Sequence, residues 1–201
     1  MDDSDKYVSA DTHDDLFGQY RNLIVKVDAY SRRIHDQFRT RIACRRGCSD
    51  CCRQQLKLLP VEFYFLRQRF ALLPEDTQGI IKTAGDSTDC ILLHRGACLL
   101  YSHRPIICRT HGLPLLVTEN GRQRRDCCPK NFDLHSLADL PPSAVLHLER
   151  LNTILVLTNR IFAGRAGVEA GERIPLLRLH LLSPAGPSKK PGAGTRVKND
   201  V

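Results

Sequence analysis

The run CRRGCSDCC at residues 44–52 places four cysteines within nine positions. Ligands separated by two or three residues allow one turn of backbone to present several sulfurs to a single metal. A free cysteine is otherwise a small buried apolar residue, and that interpretation suits an isolated Cys90 better than a cluster set among Arg and Asp. The run therefore predicts a metal site with Cys44, Cys48, Cys51 and Cys52 as ligands. Gly47 permits the tight turn that such close ligands need.

Five more cysteines follow, and all nine lie between residues 44 and 128. The further candidate ligands are Cys90, Cys98, Cys108 and Cys127, with Cys128 as the remaining cysteine. Side chains of adjacent residues diverge, so one member of each vicinal pair is expected to serve a second metal or to bridge two ions. The count allows two four-ligand sites with one cysteine to spare, or one polynuclear cluster, and the spacing leaves both open.

The segment CLLYSHRPIICRTHG at residues 98–112 is the second informative stretch. Arg104 and Arg109 are candidates to donate hydrogen bonds to the sulfurs and to offset their negative charge. Tyr101 is expected to pack beside the site. Pro105 suits the first turn of a helix, which places Cys108 one turn further on. His103 and His111 are possible ligands, but we favour surface or supporting roles for both.

The pattern along the rest of the chain predicts a mainly α fold: a small helical domain with an irregular cysteine-rich metal-binding segment and one short β-hairpin. Apolar residues recur every three or four positions in the predicted helices. The Asn120–Gly121 pair favours a two-residue hairpin turn. The predicted helices cover residues 14–40, 60–73, 74–85 and 143–163, the hairpin arms cover 113–118 and 122–126, and residues 174–182 form a short docking segment.

The chain divides into three parts on composition. Residues 1–12 are rich in Asp and are predicted to be a disordered N-terminus. Residues 13–182 are predicted to form a single cysteine-cluster domain. Residues 183–201 are rich in Pro, Gly, Ser and Lys, and are predicted to be a disordered basic tail.

The formal net charge of +8 indicates either an acidic partner or a charge balance for bound thiolates. We favour the second, because no row of exposed aromatic residues or recognised finger spacing supports nucleic-acid binding. The acidic N-terminus lacks a secretory pattern, and no uncharged run approaches the roughly 20 residues of a membrane span. The protein is therefore expected in the cytoplasm, without a membrane partner, where clustered thiols stay reduced.

Taken together, CRRGCSDCC, Glu62, Cys90 and the Cys98–Cys108 segment resemble a cysteine-cluster family described as zinc- or iron-chelating CxxCxxCC proteins. The resemblance spans roughly residues 40–132. The family's CPFL element is Cys90-Ile-Leu-Leu here, without its proline. The resemblance implies a zinc ion or an iron–sulfur cluster as cofactor. The family has a single cysteine where this chain has Cys127 and Cys128, and on that ground substitution of Cys128 is expected to be the milder of the two.

The function predicted is metal binding at a Cys-ligated zinc or iron–sulfur centre, in an unknown process. The alternative is an iron–sulfur electron carrier with a redox partner protein, and a zinc-dependent nucleic-acid module ranks lower. The Cys44-x3-Cys48-x2-Cys51 spacing also occurs in radical S-adenosylmethionine enzymes, but this short helical chain lacks their partial barrel. Glu62 could be a ligand or a base, although we interpret it as a helix cap paired with an Arg. Whether the protein is an enzyme stays open.

Replacing Cys48 or Cys108 by Ser should lower the bound metal and destabilise the fold, because a thiolate site and the fold around it form together. Metal analysis and thermal unfolding of the purified variants measure both effects. Full metal retention in both variants would refute the assignment of these two ligands.

Overall fold

The computed structural model describes residues 15–84 and 88–181. The predicted disordered ends, 1–12 and 183–201, lie outside the described residues. Helices dominate the described part, as predicted, and no helix there is long and apolar enough to cross a membrane. The six α-helices are α1 Gly18–Gln37, α2 Pro60–Ala71, α3 Glu75–Thr83, α4 Ile106–Thr110, α5 Leu134–Ala138 and α6 Leu148–Ala166.

Short strands lie between these helices along the chain, and they pair into three small sheets. The strands are β1 Lys57–Leu58, β2 Leu93–His94, β3 Ala97–Cys98, β4 Leu115–Glu119, β5 Arg122–Asp126, β6 Leu146–His147 and β7 Ile174–Pro175. Strands β1 and β7 pair antiparallel, β2 and β3 form a hairpin, and the third sheet has the order β5-β4-β6.

The predicted hairpin is confirmed in β4 and β5. Glu119 pairs with Arg122, so Asn120 and Gly121 form the two-residue turn. Both have positive φ, at 52° and 74°, as the favoured hairpin turn requires. The hairpin also gains a parallel neighbour, β6, which the sequence did not indicate.

The last long helix begins later than predicted. Residues 143–147 are not α-helical: Pro142–Ala144 is a 3₁₀ turn, and β6 follows it. The backbone N–H of Leu146 donates to the carbonyl of Pro114 at 2.9 Å. Pairing with the edge of β4 therefore overrides the local helical pattern, and α6 begins at Leu148.

The predicted docking of residues 174–182 is confirmed for the described part, up to residue 181. β7 pairs with β1, and the 3₁₀ helix Leu176–Leu181 follows it. Leu176 and Leu179 are buried against Phe63 and Leu66 of α2 in one apolar cluster. Cys90 and Cys98 pack against the same cluster. The docked segment therefore stabilises the apolar residues that two candidate ligands contact.

Aromatic residues join α1, α2 and α6 in the largest apolar cluster. The ring of Phe17, just before α1, lies 5.1 Å from that of Phe162 and 5.6 Å from that of Phe65. Tyr20 also packs edge-on to Phe65, at 5.3 Å. These contacts join the three longer helices, and Ile106 of α4, the helix that carries Cys108, packs in the same cluster.

A buried carboxylate links α2 to α4. Glu62 is only 2% exposed. One of its oxygens accepts a hydrogen bond from the backbone N–H of Leu59 at 3.4 Å, and the other accepts from Ile106 at 3.0 Å. The predicted helix cap is thus present, and the same side chain also anchors the first residue of α4. Burial raises the pKa of Glu62, while the two N–H groups and the charge of Arg173 favour its ionised form.

Replacing Glu62 by Gln should lower the free energy of unfolding by about 1–3 kcal/mol, because an amide has one accepting oxygen and leaves a buried N–H without an acceptor. Urea unfolding followed by circular dichroism measures the change. Glu169→Gln, at an exposed position, is the matched control. Equal stability of the two variants would contradict the anchoring role of Glu62.

Candidate metal centre

Six cysteines line one cavity of about 70 Å³. They come from two separate stretches of the chain, residues 48–52 and residues 90–108. The lining cysteines are Cys48, Cys51, Cys52, Cys90, Cys98 and Cys108. The fold therefore brings together six of the eight ligands predicted from the sequence.

Backbone hydrogen bonds position the first segment against the second. A turn closed by the Cys48 N–H and the Arg45 carbonyl at 3.0 Å, with Gly47 at φ +94°, directs Cys48 inward. The 3₁₀ turn Asp50–Cys52 follows. The carbonyl of Cys52 then accepts a hydrogen bond from the N–H of Cys90 at 2.7 Å. This bond holds the backbone of the two cysteines together.

Cys98 and Cys108 complete the cavity from regular elements. Cys98 ends β3, directly opposite Leu93 of β2. Cys108 lies in α4, one turn after Pro105, as predicted, and its N–H donates to the Pro105 carbonyl at 3.0 Å. Both ligand candidates thus stand on short but hydrogen-bonded elements.

Burial opposes ionisation of four of the thiols in the cavity. It is the main cause that raises the pKa of Cys52, Cys90 and Cys98, and the pKa of Cys108 is also raised strongly. Neighbouring cysteines add to the effect, because a second thiolate repels the first. A bound cation would reverse both causes, since it supplies the positive charge that a buried thiolate needs.

Arg104 is a cation that faces several of the cysteines. Its charge lowers the pKa of Cys52, Cys98 and Cys108 against the effect of burial. Its guanidinium carbon lies 3.7 Å from the ring centre of Tyr101, and its Nε donates to the Tyr101 carbonyl at 3.0 Å. Both side chains line the cavity, which agrees with the positions expected for them.

Arg109 occupies a different position from the one expected. All three of its guanidinium nitrogens donate to oxygen atoms rather than to sulfur: Nη1 to the Asp28 carboxylate at 2.5 Å, Nη2 to the Ser102 carbonyl at 2.6 Å, and Nε to the Arg104 carbonyl at 2.6 Å. Its side chain is 5% exposed. Arg109 therefore supports the site by joining the turn that carries Arg104 to helix α1.

The two histidines of the segment differ in location. His111 lies on the cavity wall and is exposed to solvent. His103 packs against the ring of Phe65, at 6.2 Å between ring centres, and burial lowers its pKa. Of the two, only His111 is near enough to the cavity to take part in its chemistry.

The remaining three cysteines lie outside the cavity lining. Cys44 accepts a hydrogen bond from the side-chain amide of Asn131 at 3.5 Å, and its thiol interacts with Cys128 and Cys48. Burial raises the pKa of Cys44 to about 11. Cys127 instead packs against the third apolar cluster, which contains Phe132, and its thiol donates to the carbonyls of Cys128 and Phe132.

The donor set fits a soft metal, because thiolate sulfur is the ligand that zinc and iron–sulfur clusters share. Within residues 15–84 and 88–181, however, no three His, Cys, Asp or Glu side chains converge closely enough to hold an ion. The sulfurs would therefore have to draw together on binding.

Comparison with known protein families agrees with this chemistry. Residues 43–131 match the family model CxxCxxCC, described as “Putative zinc- or iron-chelating domain”. The match covers 89 of the 201 residues, so it describes the cysteine-rich segment and less than half of the chain. It includes all nine cysteines, Glu62 and the Asn131 amide, whereas α6 and the docking segment lie beyond it. No curated protein and no solved structure gives a significant match to the chain.

Two residues near the sulfurs were not foreseen from the sequence. Asn131 donates to Cys44 and to the Gly112 carbonyl, and it accepts from the Ala43 N–H at 2.9 Å. Arg46 lies 5.8 Å from the Tyr101 ring centre, and its charge lowers the pKa of Cys98. The position of Asn131, three residues after Cys128, was the one available signal for its role.

Arg109→Lys should lower the free energy of unfolding by about 1–3 kcal/mol, because an ammonium cannot replace three planar N–H donors to Asp28, Ser102 and Arg104. Urea unfolding of the variant measures the loss. Arg122→Lys, at an exposed position of β5, serves as the control. If Arg109→Lys and the control have the same free energy of unfolding, Arg109 does not hold the Ser102–Arg104 turn.

Proposed function

We propose that the segment matching the CxxCxxCC family model, residues 43–131, binds a metal centre through thiolates of the cavity, and that this centre clamps residues 48–52 to residues 90–108. The observation that carries the proposal is that six cysteines line one cavity. Reduced, unpaired thiols are a precondition, and all nine cysteines are free.

Cys52, Cys90, Cys98 and Cys108 are the proposed core of the ligand set. Cys52 interacts with Cys90 and Cys98, and Cys108 interacts with all three. Cys48 and Cys51 border the same space and would supply further or bridging sulfurs. The metal would provide the positive charge that allows several buried thiols to ionise side by side.

The clamp has a clear structural purpose. Residues 42–59 and 88–105 contain only short strands and 3₁₀ turns, so few backbone hydrogen bonds hold them together. A metal that binds the cysteines only in their folded arrangement adds its binding free energy to the stability of these loops. Arg104 would offset part of the negative charge of the thiolates from the cavity wall.

An iron–sulfur electron carrier is the second candidate function. Its support is that Cys51 is exposed while the other lining cysteines are partly buried, so a cluster here would lie near the surface. Electron transfer to a redox partner protein requires that proximity. The same ligands serve both functions, and the identity of the metal separates them.

The cellular setting follows from the same chemistry. A metal–thiolate centre needs a reducing compartment, and we place the domain in the cytoplasm on that ground. A role in nucleic-acid binding has less support, because exposed arginines such as Arg124 already pair with Glu119 and Asp126.

Anaerobic purification followed by metal and acid-labile sulfide analysis tests the proposal. We expect either stoichiometric zinc in a colourless protein or iron and sulfide in a brown one, and removal of the metal by a chelator should lower the melting temperature. Zinc without sulfide would exclude the electron-carrier function. A preparation that binds neither zinc nor iron, even after reconstitution under reducing conditions, would refute metal binding.

A further inference from the structure

The vicinal cysteines Cys127 and Cys128 lie in different environments. The Cys127 sulfur faces backbone carbonyls of Cys128 and Phe132, at 3.4 and 3.7 Å, and the residue packs against the Phe132 cluster. Cys128 instead neighbours Cys44. Two adjacent residues of the chain thus belong to different parts of the molecule, one to an apolar cluster and one to a group of thiols.

The contact between Cys44 and Cys128 depends on Gly112. A Cβ at this position would lie 2.5 Å from the Cys44 sulfur and 3.4 Å from the Cys128 Cβ. Gly112 is buried and has a φ of +95°, so both space and backbone conformation favour glycine. The two cysteines therefore border the same small space beside the backbone that follows α4.

Polar groups around this space suit ionised sulfur. The Asn131 amide directs a donor at the Cys44 sulfur, and amide donors to sulfur stabilise bound thiolates. The Lys130 ammonium interacts with both Cys48 and Cys128, and it pairs with Asp50. Cys44 thus interacts with Cys48 and Cys128, and these two share the neighbouring charge of Lys130.

We propose that Cys44, Cys48 and Cys128 form a second thiolate metal site, the rim site, separate from the centre held by Cys52, Cys90, Cys98 and Cys108. This inference rests on the proposed metal-binding function and extends it. Cys128 is the ligand of the vicinal pair, and Cys127 is a packing residue. The family resemblance implied that substituting Cys128 would be milder than substituting Cys127, and this proposal expects the opposite.

Cys48 lies between the two groups. It lines the cavity and also interacts with Cys44. The rim site has three protein sulfurs, so its fourth position is left to water or to a sulfur of the neighbouring group. As in the cavity, the sulfurs must approach one another when the metal binds.

Zinc binding to the full chain under reducing, anaerobic conditions tests the rim site. The matched variants are Cys128→Ala and Cys127→Ala, with Cys108→Ala to report on the cavity. We expect Cys128→Ala to bind one zinc ion fewer per chain than the unsubstituted protein, and Cys127→Ala to retain the full complement. Full zinc retention in Cys128→Ala, or loss of zinc in Cys127→Ala alone, would overturn the rim site.

The cavity variant separates the two claims. If Cys108→Ala loses zinc and Cys128→Ala does not, the rim site is wrong while the proposed function stands. If neither loses zinc, the proposed function fails as well.

Alkylation of the unsubstituted protein with and without zinc gives a second readout, which does not depend on the folding of any variant. Peptide mass spectrometry should show zinc-dependent protection at Cys44 and Cys128. Protection at Cys127 should be independent of zinc. Zinc-dependent protection of Cys127 without protection of Cys128 would contradict the inference.

Discussion

The two backbone hydrogen bonds accepted by the buried Glu62 carboxylate constrain the region around the cysteines. One oxygen fixes the start of α2 and the other fixes Ile106 at the start of α4. Because α4 carries both Cys108 and Arg109, its orientation decides where one sulfur points and where the Arg109 guanidinium reaches. Arg109 in turn holds the carbonyls of Ser102 and Arg104 and the carboxylate of Asp28 on α1. A chain of buried polar contacts thus runs from α2 through α4 to the cavity wall.

Burial and nearby charges act in opposite directions on the pKa of the cavity thiols. Desolvation favours neutral thiols, and each added thiolate makes the next one harder to form. Arg104 is the arginine placed to counter this for three of the cysteines, and Tyr101 holds it in position through its ring and its carbonyl. Arg104, with Arg46 acting on Cys98, is a modest counter-charge for several thiolates. A bound metal would therefore provide the main charge balance, with the arginines as support.

Much of the fold and of the site could be predicted from local patterns. The helical periodicity located α1 and α2, the Asn120–Gly121 pair located the hairpin turn, and Pro105 placed Cys108 one turn into a helix. Long-range contacts decided what these patterns could not. Asp28 lies 81 residues from its partner Arg109, and the pairing of β6 with β4 delayed α6 to Leu148. The difference between Cys127 and Cys128 depends on the packing of Phe132 and on the space left by Gly112, neither of which is visible in the spacing of cysteines.

The central claim is that sulfur atoms of this domain ligate the metal. X-ray absorption spectroscopy at the metal edge of the full chain, purified and kept under anaerobic conditions, tests it most directly. We expect the atoms bonded to the metal to be mainly sulfur, with metal–sulfur distances of about 2.3 Å. A first shell dominated by nitrogen or oxygen would contradict it, because the metal would then be bound by groups other than the cysteines.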